Sequence, residues 1–497
     1  MSKIAWNDIN WTLVQKRISR QQKRVYKASK DGNKSIVHAI QRRIIGSLDA
    51  KLLAVRYITT ENKRYNITSV DGVKTISSNQ KIKLAYRLKL DGKASPIRRT
   101  YISNFEKSKY CPLDILTSED RAKQMLAKIA LEPEWEAIFE SHSYGFRPRR
   151  SYHDAISALL LSLRGKAKYV LAADIQKCFD RIDHNKLLDK LSTFDQMKKQ
   201  INIWLNAKVM VSYSNKPDEV FQIIERTSQG EILSPLLANI ALHGLGDQIK
   251  KWYPNKGYST TRRSSKVEKT DRKATIGFTR YADKFIINAS KQEDISQIYD
   301  EVAIWLKEEI GLKLSKAKIR IVHSTKGFEF LGFQIISIKN KNQGVNKIKI
   351  HPSKSSKAKI ILCIHKLIQE NRSISSYSLI NLLSSRIIGW AEYFQYSECT
   401  QAFSKIDYII FNQIRAWVFR RKSKGLSART RLKLKYFPEG ETYHFKGKDY
   451  KNNWILTGTN IIKGKTKTNF LPKMIWVRSS NHIKMKGDAS LYKRNGS

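Results

Sequence analysis

The spacing of apolar residues predicts helices towards both ends of the chain and strands between them. From Trp6 to Ile18, apolar residues recur every three to four positions with basic residues between them, as on one face of a helix. Residues 1–60 are therefore predicted to be helical and basic. Residues 354–425 have similar periodicity and are also predicted to be helical.

The middle of the chain has a different pattern. Residues 61–120 contain turn signals and are predicted to form short strands and turns. A helix follows, with Ser118 as its predicted N-cap, and it continues beyond Pro133. Strand-like and helical runs then alternate through residues 165–335, which predicts an α+β or α/β body. The polar, basic segment 253–275 is predicted to be a surface insertion.

Two aspartates lie at the ends of predicted strands. Asp174 follows the apolar run from Tyr169 to Ala173, and Asp283 lies between the two apolar runs of "GFTRYADKFIINAS", followed directly by Lys284. Carboxylates brought together by adjacent strands can hold the divalent ions that clamp the oxygens in phosphoryl transfer. From spacing alone, however, solvated strand caps are the commoner alternative.

Composition and charge narrow the function classes. The chain has 497 residues, and its Lys and Arg residues exceed its Asp and Glu residues by 50 charges. Such an excess predicts a polyanionic partner, and nucleic acid is favoured because no apolar run is long enough to span a membrane. The four scattered cysteines do not have the spacing of a zinc module or a disulfide framework.

Six motifs occur in the order and rough spacing of the reverse transcriptases encoded by group II introns, and the chain resembles that family over nearly its whole length. The motifs are "SYGFRPRRSYHDAI", "LAADIQKCFDRI", "TSQGEILSPLLANIALHGL", "RYADKF", "LKLSKAKIRIVHS" and "FEFLGFQI". Residues 382–421 resemble the maturase or thumb region that follows the polymerase body in that family.

The resemblance implies an α+β, right-hand reverse-transcriptase fold, with fingers, a palm with a central strand hairpin, and a helical thumb. It divides the chain into a basic helical extension (1–60), fingers and palm (61–340), a thumb or maturase domain (341–435) and a basic nucleic-acid-binding region (436–497). No paired-cysteine or His-Asn-His array follows the last region, so no endonuclease domain is expected.

The resemblance also assigns catalytic positions. Asp174 matches the family's first metal-binding aspartate, and Asp283 matches the first aspartate of its Tyr-Ala-Asp-Asp hairpin. If the polymerase site is active, the implied cofactor is Mg²⁺; otherwise no cofactor is expected. The implied nucleotide pocket consists of Phe179, Gln229, Gly230 and Lys318.

Several positions depart from the family pattern. Lys284 stands where the family has its second hairpin aspartate, and an ammonium beside the metal position disfavours Mg²⁺. Ser228 and Glu231 replace a proline and a glycine of the family motif. The fingers segment departs at Tyr110, Asp114 and Leu116. Together these changes predict that Asp174 and Asp283 are vestigial and that polymerisation has been lost.

The basic residues predict a surface that binds intron RNA. In the amino-terminal helix the predicted contacts are Lys16, Arg17, Arg20, Lys23, Arg24 and Lys27. In the thumb they are Arg415, Arg420, Arg421, Lys422 and Lys424, on a helix whose predicted buried side is Ile406, Ile409, Ile410, Ile414 and Trp417. The carboxy-terminal region resembles one that contacts DNA, and the family resemblance allows a homodimer; no membrane partner is expected.

Three functions remain open from the sequence. The favoured interpretation is a group II intron maturase that binds intron RNA and promotes its folding and self-splicing. The alternatives are an active RNA-directed DNA polymerase and a non-specific basic RNA chaperone. The Lys-, Ile- and Asn-rich composition suggests an AT-rich genome, which favours an organelle-encoded protein of the plastid stroma, with the bacterial cytoplasm as the alternative.

Overall fold

The computed structural model describes most of the chain, and its internal contacts divide it into two compact units. The described residues are 5–61, 76–103, 110–211, 219–221, 232–253, 276–315, 319–339, 346–421, 426–462, 464–485 and 490–493. The first unit comprises Met1–Leu163, Lys168–Ile321 and Lys484–Ser497, and the second comprises Arg164–Ala167 and Val322–Ile483. The division into four domains that the family resemblance implies stays a prediction. The two units above are defined only by contacts within the structure.

The amino-terminal part of the first unit is helical, as predicted. Its helices are α1 (Trp11–Lys30), α2 (Lys34–Gly46), α3 (Leu48–Arg56), continued by a π-helix at Tyr57–Glu61, and α4 (Ser78–Arg87). Helix α4 lies where short strands and turns were predicted. It forms there because Ser77 and Gln80 make a reciprocal capping box at its start, while Leu84 and Ala85 are buried.

Strands β1 (Ile97–Ser103) and β2 (Tyr110–Ile115) precede α5 (Ser118–Ile138), a long helix that packs against α1, α2 and α3. The N-cap of α5 is Thr117 rather than the predicted Ser118, because the Thr117 hydroxyl accepts the Asp120 amide hydrogen bond at 3.1 Å. The helix runs past Pro133, as predicted. Proline has no N–H to donate to the Ile129 carbonyl, and the Gln22 side chain of α1 donates to that carbonyl instead, at 3.0 Å.

The next elements build the central sheet and the helices that cover it. They are α6 (Tyr152–Leu163), β3 (Tyr169–Asp174), α7 (Cys178–Arg181), α8 (His184–Leu191), α9 (Asp195–Leu205), β4 (Val209–Val211), β5 (Glu219–Phe221), α10 (Ser234–Ala241), α11 (Leu245–Trp252), β6 (Gly277–Tyr281), β7 (Lys284–Ala289), α12 (Gln292–Ile310) and β8 (Arg320–His323). The predicted strand from Tyr169 and the predicted hairpin around Asp283 are both confirmed. Of the predicted surface insertion, residues 254–275 lie outside the described residues.

Two four-stranded sheets organise the first unit. One has the order β2-β1-β4-β5, and the central sheet has the order β6-β7-β3-β8. In the central sheet, β7 pairs antiparallel with both β6 and β3. Helix α12 packs against β3 and β7 through one apolar stripe at helical spacing, which includes Ile298, Val302 and Leu306. The predicted α+β class is therefore observed.

The second unit is mainly helical, with small sheets. Its elements are β9 (Phe328–Phe330), β10 (Phe333–Lys339), β11 (Asn346–Pro352), α13 (Lys354–Glu370), α14 (Ser376–Phe394), α15 (Thr400–Phe419), α16 (Leu426–Tyr436), β12 (Thr442–Phe445), β13 (Lys448–Lys451), β14 (Thr457–Ile462) and β15 (Lys465–Phe470). Strands β11, β10 and β9 form one antiparallel sheet. The prediction that residues 354–425 are helical is confirmed for the described residues, which form α13, α14 and α15 with breaks between them.

The carboxy-terminal segment, which the sequence predicts only as a basic nucleic-acid-binding region (436–497), contains strands and a small core. Two hairpins, β12–β13 and β14–β15, are present, and aromatic rings gather around Trp476, including Tyr450 at 4.6 Å between ring centroids. The aromatic residues at the tail positions are thus a small core. Further along, Tyr492 returns to the first unit and donates a hydrogen bond to Glu132 at 3.0 Å.

We predict that Glu134 makes stability depend on pH. This α5 carboxyl is buried, which raises its pKa to about 7, and it accepts a 2.6 Å hydrogen bond from Gln41. The folded chain therefore holds a proton that the unfolded chain has lost between about pH 4.5 and 7, so stability falls as pH rises through this window, by an amount on the order of 3 kcal/mol.

Glu134→Gln should flatten this profile and raise the unfolding midpoint at pH 8, measured by urea titration from pH 5 to pH 8. Glu293→Gln, at an exposed carboxyl of α12, is the control and should keep the wild-type profile. An unchanged slope in Glu134→Gln would contradict the prediction.

Candidate functional site

The ends of β3 and of the β6–β7 hairpin bring the two predicted aspartates together. Asp174 is the last residue of β3 and is buried, and Asp283 is half-buried in the two-residue turn with Ala282. The Ile175 amide donates to the Asp283 carbonyl at 3.0 Å, and the Ser315 amide donates to the Asp174 carbonyl at 2.9 Å. Main-chain hydrogen bonds therefore fix the positions of both aspartates.

Lys284 lies on the same part of the sheet as Asp174. The antiparallel register pairs these two residues directly, so their side chains leave the sheet on the same face, with Cβ atoms roughly 4.5–5.5 Å apart in such pairs. Asp174 is buried at 8% exposure, whereas Lys284 is exposed. The donor set around this position is two carboxylates and one ammonium, which fits a pair of divalent ions poorly because hard cations select oxygen ligands and are repelled by positive charge.

Aromatic rings flank the two aspartates. The predicted pocket residue Phe179 is half-buried in α7, and its ring centroid lies 6.5 Å from that of Phe146. Phe146 in turn lies 6.4 Å from Tyr281 at the end of β6. Phe146 is 51% exposed and has a left-handed φ of 58°. Sequence reasoning missed it; its place in the "SYGFRPRR" motif was the available signal.

The base of the hairpin is held by a buried arginine. Arg280 is fully buried, and its guanidinium donates to the Asn239 side chain at 3.1 Å and to the Ala282 carbonyl at 3.4 Å. Its Nη2 lies 3.8 Å from the Glu140 carboxylate. Burial lowers the pKa of Arg280 to about 10, while Glu140 opposes this shift. Sequence reasoning did not single out Arg280.

Close packing supports the hairpin turn from below. A Cβ on Gly145 would lie 2.4 Å from the Ala282 amide nitrogen, so only glycine permits this approach. The Gly145 carbonyl also accepts a 2.8 Å hydrogen bond from Asn239, the residue that holds Arg280. The turn that carries Asp283 is thus fixed by backbone contacts that do not involve the carboxylate itself.

Among the described residues, Glu140, His142 and Asp247 form one group with the composition of a metal site, with ligand atoms within 4.8 Å of one another. Glu140 already accepts three backbone N–H groups, those of Gly244, Gly246 and Asp247, at the start of α11. Burial lowers the pKa of His142 to about 4, so the ring is neutral. In this group, Glu140 is a buried carboxylate that pairs with the free amides at the N-terminus of α11.

The cysteine beside the site has an unreactive thiol. Burial, and secondarily the charge of Asp283, raises the pKa of Cys178 to about 12. Cys178, Cys363 and Cys399 are free thiols in the described part of the chain.

Several predicted site residues lie outside the described residues. They are the pocket residues Gln229, Gly230 and Lys318, the loop substitutions Ser228 and Glu231, and the thumb lysines Lys422 and Lys424. The assignments of these residues stay predictions.

The fingers substitutions that the structure describes have structural partners. Asp114 accepts two hydrogen bonds from Arg99, at 2.7 and 3.0 Å, in a buried ion pair across β1 and β2. Leu116 is buried with Ile97 and Val209 in a small apolar cluster. The side chain of Tyr110 lies outside the described part of the structure. Asp114 and Leu116 therefore contribute to local packing.

The basic residues of α1 mostly face solvent. Lys16, Arg20, Arg24 and Lys27 are exposed, and Lys23 is half-buried. Arg17 makes a two-pronged ion pair with Asp49 of α3, with distances of 2.6 and 3.0 Å. Arg17 therefore has a structural partner as well as an exposed surface. The apolar residues Val14 and Ile18 are buried, which places the basic residues on the outer side.

The predicted RNA-binding arginines of α15 and of its C-terminal end differ in their exposure to solvent. Arg415 and Arg420 are exposed, whereas Arg421 is half-buried, with its guanidinium 4.0 Å from the Trp417 ring centroid and a 2.6 Å hydrogen bond to the Ile374 carbonyl. Four of the five residues of the predicted buried side are buried. Ile409 is the exception: it is half-buried, because its side of α15 borders open space.

Comparison with known families matches three consecutive parts of the chain. Residues 6–88 match the N-terminal domain of reverse transcriptase, and residues 99–335 match the reverse transcriptase (RNA-dependent DNA polymerase) family. Residues 357–437 match the group II intron, maturase-specific domain. The resemblance carried by the six motifs and the reverse-transcriptase fold are confirmed. Reverse transcriptase domains use divalent metal ions, and group II intron maturases bind intron RNA.

Individual relatives agree with these matches. The chain is 30% identical to the group II intron-encoded protein LtrA of Lactococcus lactis subsp. cremoris over 305 residues, covering 52% of this chain and 50% of that protein. It is 28% identical to protein YkfC of Escherichia coli, covering 56% and 78%. It is 24% identical to maturase-like protein 1 of Euglena gracilis, covering 88% of each. The chain thus spans about half the length of the Lactococcus relatives it matches.

Two findings concern the partners expected from composition. No described helix has both the length and the apolarity needed to cross a bilayer. The surface of α1 carries a row of exposed basic side chains, as described above.

We predict that removing the buried Arg280 charge destabilises the first unit. Arg280→Met leaves the Glu140 carboxylate without its cation, which costs roughly 3–5 kcal/mol for a buried pair broken on one side. The measurement is the urea unfolding midpoint. Arg280→Met/Glu140→Gln should recover part of the loss, because glutamine still accepts the α11 amides without carrying a charge.

Arg320→Met is the matched control, at an exposed arginine of β8, and should change the midpoint little. If Arg280→Met behaves like this control, or if the double variant is no more stable than the single variant, the buried charge pair is not the cause.

Proposed function

Because the chain belongs to the family of reverse transcriptases and maturases encoded by group II introns, we propose that it is a maturase that binds intron RNA and promotes its folding and self-splicing. We propose further that its reverse-transcriptase activity has been lost. The observation that carries the second proposal is the direct pairing of Lys284 with Asp174 in the central sheet.

The side chains at the end of the central hairpin are a poor set of ligands for two Mg²⁺ ions. Two Mg²⁺ ions clamp the attacking and leaving oxygens in phosphoryl transfer, and each needs carboxylate ligands in near-ideal geometry. Asp174 and Asp283 offer two carboxylates, while Lys284 adds a positive charge on the face that Asp174 occupies. Asp174 and Asp283 would hold the ion if the site were active, and Mg²⁺ is then the proposed cofactor. With Lys284 present, binding is expected to be weak.

The fingers support the same proposal. In the family resemblance, Asp114 and Leu116 stand at glycine and proline positions of a segment that contacts the triphosphate. Here Asp114 is occupied by the buried pair with Arg99, and Leu116 is packed in an apolar cluster. Side chains committed to local packing are not available to a triphosphate.

Binding RNA places different demands on the protein. It needs phosphate-facing cations and a stable scaffold, and it needs no metal ion in the protein. The 50-charge excess and the exposed basic row of α1 meet the first demand. The hairpin turn held from below by Arg280, Asn239 and Gly145 meets the second. We propose that α1 and the exposed Arg415 and Arg420 of the thumb contact the intron.

An active RNA-directed DNA polymerase is the second candidate. It is favoured by the geometry of Asp174, Asp283 and the ring of Phe179, which lie together at the central hairpin. A non-specific basic RNA chaperone is the third, and it would bind unrelated structured RNAs equally well at matched salt. The experiments below separate these candidates.

Further parts of the proposal concern partners and location. The β14–β15 hairpin exposes Lys465 and Lys467, and we propose DNA as a secondary partner of this carboxy-terminal region. A homodimer is proposed from the family resemblance alone. For location we propose the plastid stroma, with an organelle-encoded gene, and the bacterial cytoplasm as the alternative; the relatives include proteins of Euglena and of bacteria.

The first test is a paired assay on one preparation of the full chain at fixed, near-physiological salt. Splicing of the intron that contains or adjoins the gene should be stimulated, while a primer on an RNA template should not be extended with Mg²⁺ or Mn²⁺. Asp174→Ala should change splicing by less than about twofold, or about 0.4 kcal/mol. Primer extension by the wild type, or a large splicing defect in folded Asp174→Ala, would contradict the proposal.

A second test restores the missing carboxylate. Lys284→Asp should strengthen divalent-ion binding at the hairpin, measured by Mn²⁺ titration against wild type, because it replaces repulsion by attraction. It should nevertheless not produce processive DNA synthesis, since the fingers and the Ser228–Glu231 loop also depart from the family. Robust extension by this single variant would show that Lys284 alone blocks the polymerase. Lys291→Asp, at an exposed lysine just before α12, controls for the charge change.

A further inference from the structure

A cavity of about 600 Å³ lies between α13 and α15 in the second unit. Its walls come from one face of each helix, because the lining residues recur at helical spacing. Ile368 and Arg372 belong to α13 and its end, and Gln413, Trp417, Arg420 and Arg421 belong to α15 and its end. The volume falls in the range of roughly 300–1,000 Å³ typical of small-molecule sites.

The floor of the cavity is apolar and rigid. Ile368 and Trp417 are buried, and the Trp417 indole N–H donates to the Asn371 carbonyl at 3.2 Å, which fixes the ring. The Arg421 guanidinium stacks on the same indole at 4.0 Å. Ala416 is small and leaves the space between the helices open. A flat ring entering this cavity would meet a preformed apolar surface.

Polar groups in the cavity wall have unused hydrogen-bonding capacity. Gln413 Oε1 and Arg421 Nε are both buried and lack a hydrogen-bond partner among the described residues. Leaving such groups unpaired is costly, so a side-chain rotation that turned either group towards a ligand in the cavity would gain a hydrogen bond. One accepts and the other donates, which suits a ligand that carries both kinds of group on one edge.

The rim of the cavity is cationic. Arg372 and Arg420 are exposed at its edge, with His365 on the same α13 face, and none of the lining residues is acidic. Arg372 is oriented by a 2.7 Å hydrogen bond to Gln369. An arginine fork at a cavity edge favours a phosphate or a carboxylate over a neutral group.

Resting on the proposed RNA-binding function, we propose that this cavity receives one unpaired nucleotide of an RNA. The base lies on the apolar floor with its edge at Gln413 and Arg421, and the flanking phosphates contact Arg372 and Arg420. A paired nucleotide does not fit this description, since its base edge is occupied and A-form helices offer phosphates and shape instead. The exposed Arg420 predicted from the sequence thus gains a specific role at the rim.

The test compares RNA probes that differ by one nucleotide. The probes are a hairpin RNA with a single bulged nucleotide, prepared with each of the four bases, and the same hairpin without the bulge; binding to the full chain is measured at fixed near-physiological salt. At least one bulged probe should bind more tightly than the paired probe. Ala416→Phe, which fills the cavity without changing charge, should reduce that preference about tenfold, as expected for loss of a stacked base.

Charge variants separate the rim from general electrostatics. Arg372→Gln should weaken the bulged probe more than the paired probe. Arg386→Gln is the matched control, at an exposed arginine of α14 outside the cavity lining, and should keep the wild-type preference. Equal preference in wild type and Ala416→Phe, with both proteins folded, would overturn the assignment.

The same experiment distinguishes failure of this inference from failure of the proposed function. If wild type stimulates splicing and Ala416→Phe has no effect on bulge preference, only the cavity assignment is wrong. If wild type does not stimulate splicing or prefer its intron RNA, the maturase proposal fails first. A nucleoside monophosphate should compete only weakly with the bulged probe; full competition at similar concentration would identify a free nucleotide as the ligand and overturn the RNA assignment.

Discussion

The buried arginine at the base of the central hairpin is the interaction on which the first unit depends. A guanidinium with no exposed surface must be hydrogen-bonded or paired with an anion, because its desolvation costs several kcal/mol. Arg280 meets part of this requirement: its Nη1 donates to the Asn239 side chain and the Ala282 carbonyl, and the Glu140 carboxylate lies 3.8 Å from its Nη2. In Glu140, Oε1 accepts three amides at the start of α11, and Oε2 is the oxygen that lies near Arg280. These groups tie the hairpin to α10, α11 and the segment after α5.

This arrangement separates the scaffold from the chemistry at its surface. The contacts that hold the hairpin turn lie below it and involve Arg280, Asn239 and Gly145, whereas Asp174 and Lys284 lie side by side at the end of the sheet. Lys284 is exposed and leaves the buried contacts intact. Under the proposed function, this separation explains how a polymerase site loses one of its metal-binding carboxylates while the surrounding fold is kept.

The second unit uses the same physical means in a smaller core. Asp407 of α15 accepts two amide hydrogen bonds from Met474 and Ile475, at 2.9 and 3.1 Å, and its burial raises its pKa to about 6. Gly458 allows the β14–β15 hairpin to approach α14, since a Cβ there would lie 2.4 Å from the Tyr377 amide nitrogen.

Elements whose information is local could be predicted from the amino-acid sequence. The apolar run ending at Asp174, the hairpin around Asp283 and the basic α1 each follow from residues a few positions apart, and the ordered motifs indicated the family. The position of Phe146 beside Phe179, and the N-cap at Thr117 rather than Ser118, required the folded backbone. Neighbouring hydroxyl residues have similar capping preferences, so the sequence does not choose between them.

Contacts between residues far apart in the chain could be read only from the folded structure. It pairs Lys284 with Asp174, buries Arg280 against Glu140, and supplies Gln22 to the carbonyl that Pro133 leaves unpaired. It also places Ile409 and Ala416 at the lining of a cavity rather than in the apolar core. Each of these outcomes depends on sheet register or helix packing between segments far apart in the chain. Apolar periodicity shows that a face is buried, but the partner of that face is fixed only when the whole chain folds.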